Sequence, residues 1–318
     1  MSGRGRSAAA GRGRRGTVKV FFWFNAVLFA VLGGWFVMQP AARREEVSRL
    51  VGNYFEKHKR IELLDVAVDI YRLYYGEDFV TAVAAGDRSS VYGGAPVAKG
   101  FPYKIRVLMN AGYVAGYCEI LEDPVWVAYR VGDVDKAVAP PRPEGFETDV
   151  RTVARVPPSA YVNSGYDRGH LAPNYAIGTR YGAVAQRETF LMSNVVPQRH
   201  ALNAGPWKDL EMKIATSYPG RFGEVWVLAG PVFGAKPERL RSGPAVPEAF
   251  FMIVIDESDG RVRTEALILP QETPAGADLG RFVVSIDDVE RRTGLDFLTE
   301  LEDKAEAALE AKRAERVW

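Results

Sequence analysis

Residues 163–211 read NSGYDRGHLAPNYAIGTRYGAVAQRETFLMSNVVPQRHALNAGPWKDLE. Asp167-Arg168-Gly169-His170 runs into Leu171-Ala172-Pro173, Ser193-Asn194-Val195-Val196-Pro197-Gln198 follows, and Asn203, Trp207 and Glu211 complete the set. One run of chain thus supplies a base, a cation suited to phosphate and hard oxygen ligands, the groups that phosphodiester hydrolysis calls for. His170 titrates near neutrality and can take a proton from water at working pH. Its place between Gly169 and Leu171-Ala172-Pro173 argues against a buried helical core role, because glycine permits close backbone approach and proline ends the segment. Pro206-Trp207 signals a helix start, which leaves Asn203 in the loop ahead and Glu211 about one turn inside the helix. An amide oxygen and a carboxylate suit Mg²⁺, which keeps most of its waters and needs few protein ligands.

Taken singly, each residue has an ordinary alternative. Asn203 reads as a capping or turn residue and Glu211 as a solvated helical acid. Arg168 carries a planar fork of donors that fits phosphate oxygens and fits a neighbouring carboxylate equally well. Asp167 is assigned to holding the loop and His200 to the periphery. His58 stands among Glu56, Lys57, Lys59 and Arg60, on a charged, solvated face.

The ordered set resembles the DNA/RNA non-specific endonuclease family. Asp-Arg-Gly-His, Ser-Asn-x-x-Pro-Gln, Leu202-Asn203 and Trp207-x-x-Leu210-Glu211 carry the resemblance. Gly116-Tyr117, the run from Pro124 to Tyr129, and Arg292-Thr293-Gly294-Leu295-Asp296-Phe297 extend it over roughly residues 101–300. The resemblance implies a ββα-metal (His-Me finger) fold in which His170 activates water, Asn203 binds Mg²⁺ directly and Glu211 holds the waters around the ion, with Mn²⁺ as a substitute. It implies that Arg168 offsets the charge of the scissile phosphate, with Arg142 a further arginine on a looser match, and that cleavage of DNA or RNA leaves 5′-phosphates. Dimers occur in the family, without a clear signature here. Two departures stand out: Ala215 occupies a position where an arginine is common, and Met252 one where a lysine is common. The competing functions are a non-catalytic nucleic-acid-binding or uptake module and a phosphodiesterase for small nucleotides.

Around this stretch, strand-like runs at 103–109, 112–120, 125–131, 224–228, 250–256 and 263–269 are separated by turn signals such as Asn110-Ala111-Gly112 and Glu122-Asp123-Pro124. Helical patterns appear at 207–217 and from 286 to the C-terminus. Strands and helices mixed without βαβ alternation predict an α+β domain on a central antiparallel sheet. Gly, Ser, Pro and Ala dominate 82–100, which sets the domain at 101–300 and leaves 301–318 as a charged C-terminal helix. Residues 43–75 repeat apolar positions every three or four, and 39–100 read as a helical stalk and linker.

Residues 20–38 carry no charge, which predicts a membrane-spanning helix after a basic segment at 1–19. The excess of positive charge before it would put the N-terminus in the cytoplasm and the rest, as a single-pass protein, on the periplasmic or extracellular side. A cleaved export signal or a mitochondrial presequence is the alternative. Residues 1–44 hold eight Lys or Arg and no acid, leaving 33 bases against 40 acids in the remainder. An acidic body argues against a protein that coats nucleic acid through bulk charge, so any such contact must be local. Cys118 is the one cysteine, which excludes a disulfide framework, and its apolar setting predicts an inert buried thiol.

Overall fold

The computed structural model describes residues 12–56, 59–76, 79–82, 90–134, 137–241 and 243–318, and their side chains apart from 12–21 and 74–75. The chain divides into two compact units, Met1–Ser48 and Arg49–Trp318. In the first, α1 (Arg12–Val37) leads into α2 (Ala41–Tyr54), which continues into the second. Among the described residues no helix is long and apolar enough to cross a membrane. No described helix supports the membrane-spanning segment expected at 20–38 or the single-pass topology built on it. The side chains of Val20 and Phe21, most of the basic segment, His58 and part of the Gly/Ala-rich linker lie outside the described residues.

The larger unit opens with α3 (Leu63–Tyr75), β1 (Val80–Thr81) and β2 (Val97–Ala98), followed by β3 (Arg106–Met109), β4 (Val114–Cys118) and β5 (Asp123–Gly132). Next come β6 (Asp167–His170), α4 (Asn174–Glu188), β7 (Val195–Gln198), α5 (His200–Asn203), α6 (Pro206–Thr216) and α7 (Tyr218–Phe222). The chain then returns through β8 (Glu224–Val232), β9 (Ala249–Ser258) and β10 (Arg261–Pro270) to β11 (Val283–Val284), α8 (Ile286–Thr293), β12 (Leu295–Asp296) and α9 (Asp303–Glu310). A single antiparallel sheet of order β1-β10-β9-β8-β5-β4-β3, with β11 on β10, forms the centre. This is the expected α+β class with its central antiparallel sheet.

Both faces of the sheet are covered, and the period of two along each strand sorts residues between two cores. Val127, Tyr129, Val225, Val227, Met252 and Leu267 point to one face, where they meet Leu171, Trp207 and Leu210. Trp126, Ala128, Trp226, Leu228, Ile253 and Ile268 point to the other, where they meet Ile286, Val289 and Leu309. Burial on both sides explains why these strands read as nearly continuous apolar runs. Cys118 is buried in the second core, as expected.

Within the larger unit, α3 and β1 are tied to the rest of the body. Asp69 of α3 makes two hydrogen bonds to Arg221 at 2.7 and 2.9 Å, and β1 pairs with β10. After residue 286 the helical pattern is interrupted. Ser285 and Asp288 form a capping box that starts α8, Gly294 ends it with φ 72°, and Leu295–Asp296 pairs with β2. Glycine adopts that left-handed conformation at little steric cost.

Candidate active site

β6 and β7 form a separate two-stranded antiparallel ladder with α4 in the connection between them, pairing His170 with Val195 and Gly169 with Val196. Gly169 lets the strands close. A Cβ there would stand 2.4 Å from Gln198 Oε1, so the glycine of Asp-Arg-Gly-His is required by packing. The chain leaving His170 is clamped by Asn194, whose Oδ1 accepts from the Ala172 N–H at 2.8 Å while its Nδ2 donates to the Ala172 and Thr189 carbonyls. Asn194 is fully buried. The Ser-Asn segment therefore fixes the backbone that follows His170.

His170 itself is half-buried. Its ring packs on Phe146 at 5.0 Å and edge-on to Phe190 at 4.9 Å. Its Nε2 is buried without a hydrogen-bond partner. Next in sequence, α5 ends on Asn203, whose Nδ2 donates to Asp167 Oδ2 at 2.9 Å, and His200 Nδ1 lies 2.8 Å from the same oxygen. With its nitrogen committed, the carboxamide keeps Oδ1 as the acceptor for another partner. Asp167 thus does more than hold the loop, since it sets the orientation of Asn203. Pro206 starts α6, Trp207 and Leu210 bury its inner side, and Glu211 follows one turn on with Oε1 buried and unpartnered.

His170, Asn203, Glu211, Arg168 and Arg142 line one cavity of about 520 Å³. Arg168 donates through Nε and Nη2 to the Pro158 carbonyl at 3.2 and 2.9 Å and lies over the Phe146 ring. Arg142 is exposed and lies over Phe190, 4.8 Å from its centroid.

The model of the DNA/RNA non-specific endonuclease family matches residues 93–304. The chain belongs to this family. It is 30% identical to the mitochondrial nuclease EXOG of Danio rerio, over 60% of each chain. To endonuclease G of Homo sapiens it is 30% identical over 63% of this chain and 71% of that one, and to the nuclease of Serratia marcescens 27% identical over 59% and 73%. It thus spans about three fifths of the EXOG relative. The solved structure of EndoG with EndoGI, titled for the mechanism of EndoG inhibition, superposes with a TM-score of 0.57 at 26% identity, covering 65% of this chain and 91% of that chain.

In this family member, burial, and then the charge of Arg142, push the His170 imidazole down to about 3 from its ordinary 6.5. Burial likewise pushes Glu211 up to about 8, against the opposing pull of the Trp207 indole N–H and of Lys208. The cavity wall in which these groups sit disfavours charge of either sign until a ligand compensates it.

The sequence reading left several lining residues unmarked. Lys208, Tyr161, Tyr166, Asn174 and Tyr175 all face the cavity. Lys208 was detectable, because it lies three residues before Glu211 on the same helix and so on nearly the same face. The aromatic residues reach the cavity from distant segments that carry no local signal. Ala215 also lines the cavity, and its carbonyl accepts from Arg180 Nη2 at 2.7 Å. Met252 is fully buried in the core shared with Trp207, so a lysine there would sit in an apolar interior.

Proposed function

We propose that this chain is a divalent-cation-dependent endonuclease that hydrolyses the phosphodiester backbone of DNA, RNA or both, with His170 as general base and Asn203 and Glu211 as the Mg²⁺ site of a ββα-metal fold. One observation carries the reading. His170 Nε2 and Glu211 Oε1 are both buried with no partner, and they line the same cavity as a carboxamide whose nitrogen is already spent on Asp167. Buried polar atoms without partners are costly, and their convergence on one groove suits a ligand that brings a proton to one side and positive charge to the other.

The residues fit a hard divalent cation. Asn203 offers a neutral oxygen and Glu211 a carboxylate with an unmatched acceptor, which is the donor set Mg²⁺ takes when it keeps most of its own waters. When bound, the ion supplies the positive charge that stabilises the departing 3′ oxygen. The protein's own groups supply the remainder. Neutral His170 accepts a proton from the attacking water as the new bond to phosphorus forms. The bond from phosphorus to the 3′ oxygen then breaks, leaving a 5′-phosphate and a 3′ oxyanion that takes a proton from solvent water to become the 3′-hydroxyl. The phosphate's negative charge offsets Arg142 and raises the basicity of His170 while substrate is bound. Arg142, Arg168 and Lys208 hold the strand through its phosphates, a contact indifferent to base identity. Phe146 and Phe190 fix the imidazole plane.

The test is nicking of supercoiled plasmid and of a single-stranded RNA by the purified chain. Cleavage in MgCl₂, none in EDTA, and 5′-phosphorylated ends are expected. Binding of both polymers without cleavage in Mg²⁺ or Mn²⁺ would replace the reading with that of a non-catalytic module, and turnover of a dinucleotide alone would replace it with a small-nucleotide phosphodiesterase.

A further inference from the structure

A second set of hard ligands lies on the opposite face of the sheet from His170. Asp287 and Glu290 are three residues apart on α8, so both project from one side of that helix. Glu310 ends α9. One carboxylate oxygen from each of the three lies within 4.8 Å of the others. Ile286 and Val289 of α8 and Leu309 of α9 pack into the core that lies across the sheet from Leu171 and Trp207. The cluster is therefore separate from the groove of the nuclease and independent of its chemistry.

Proximity of acids alone would mean little, but Glu310 adds a second observation. It is 7% exposed, and its Oε1 has no hydrogen-bond partner. Glu290, Glu306, Asp296 and Asp287 all add negative potential at this carboxylate. The nearby Lys99 is 75% exposed and engaged with Asp296 at 3.2 Å. Glu290 is already fixed by the Phe297 N–H, which donates to its Oε1 at 2.8 Å, so α8 and the segment after β12 hold this ligand in place. A buried carboxylate that faces other acids and lacks a donor calls for a cation.

We propose that Asp287, Glu290 and Glu310 bind a calcium-class divalent cation that ties α9 to α8. Calcium takes six to eight oxygens at about 2.3–2.6 Å, so ligands on opposite sides of it stand roughly 5 Å apart, and three oxygens within 4.8 Å of one another can share one ion. Three carboxylates supply up to six oxygens, more than an ion that retains its waters would use. The site is structural: it closes the C-terminal segment against the sheet and leaves the phosphodiester chemistry to the other face.

Thermal unfolding of the full chain, stripped with EDTA and then titrated with CaCl₂, tests this. The chain carrying Asn203→Ala should keep the calcium-dependent rise in Tm, because that change removes a ligand of the catalytic groove only. Glu310→Gln should lose the rise while its calcium-free Tm is no lower than that of the parent, since an acid that faces four others is removed. If Glu310→Gln fails to fold by circular dichroism, Asp287→Asn, at a half-buried position, takes its place with the same expectation. No calcium-dependent rise in the parent, or an equal rise in the folded ligand variant, would overturn the site.

Discussion

His170 and Glu211 carry opposite protonation problems, and each gives a pH signature. Burial, and then Arg142, hold the imidazole neutral down to about pH 3. Above that value the base is in its proton-accepting form, so the acid limb of kcat/KM at saturating Mg²⁺ should lie well below the ordinary 6.5. Arg142→Gln removes the cationic neighbour, which moves the limb part of the way back towards 6.5 whatever it costs in absolute rate. A limb that stays in place would remove Arg142 from the electrostatics of the base. For Glu211 the sign is reversed. Burial keeps it protonated up to about pH 8, whereas a cation needs the carboxylate. Below that pH, binding must expel one proton, and the apparent Mg²⁺ affinity should fall by about tenfold per pH unit as the medium is acidified. Calorimetric titration in two buffers of different ionisation enthalpy would show the proton release, and a pH-independent affinity would exclude Glu211 from the site.

The roles of Asp167 and Gln198 were out of reach of the sequence, because each depends on what stands opposite. Nothing in Asp167-Arg168 says that the carboxylate reaches Asn203, 36 positions away. Gly169 was different. A glycine beside a candidate base already suggested close backbone approach, and Gln198 across the ladder is what it approaches.

Among the elements, the long strands were legible because apolar side chains alternate between two cores, and their runs in the chain match β5, β8, β9 and β10. β6 and β7 were not, because four-residue strands reading DRGH and VVPQ have no periodicity to display and exist through mutual pairing. The junction of α8 and β12 was hidden in a continuous helical pattern, although Thr293-Gly294 carries the stop signal. α3 shows how a segment that reads as a stalk joins the body. The side chains of Asp69 and Arg221 are 5% and 1% exposed, and breaking a buried pair strands one charge without its partner. Asp69→Ala should therefore cost ~3 kcal/mol and lower Tm by on the order of 10 °C. Differential scanning calorimetry would measure it, and an unchanged Tm would mean that this contact contributes nothing to stability.

At the scale of the molecule, the sheet separates two tasks. One face carries the cavity lined by His170, Arg142, Arg168, Asn203 and Glu211, and the other carries α8, α9 and their acids. The acidic balance of the body, 33 bases against 40 acids after residue 44, agrees with a protein that meets nucleic acid at one basic groove and not over its whole surface. The family was readable mainly from one stretch of chain, since the motif order depends on residue types at fixed spacing, whereas the class of fold was read from the strand-like runs around it. The membrane span expected at 20–38 rests on the uncharged run alone, because the described side chains of α1 begin at Phe22.

The most direct measurement is the rate of plasmid cleavage in saturating MgCl₂ by the full chain and by His170→Ala, with both shown by circular dichroism to be equally folded. The account predicts a loss of about 10²- to 10⁴-fold on removal of the imidazole. An unchanged rate would contradict it.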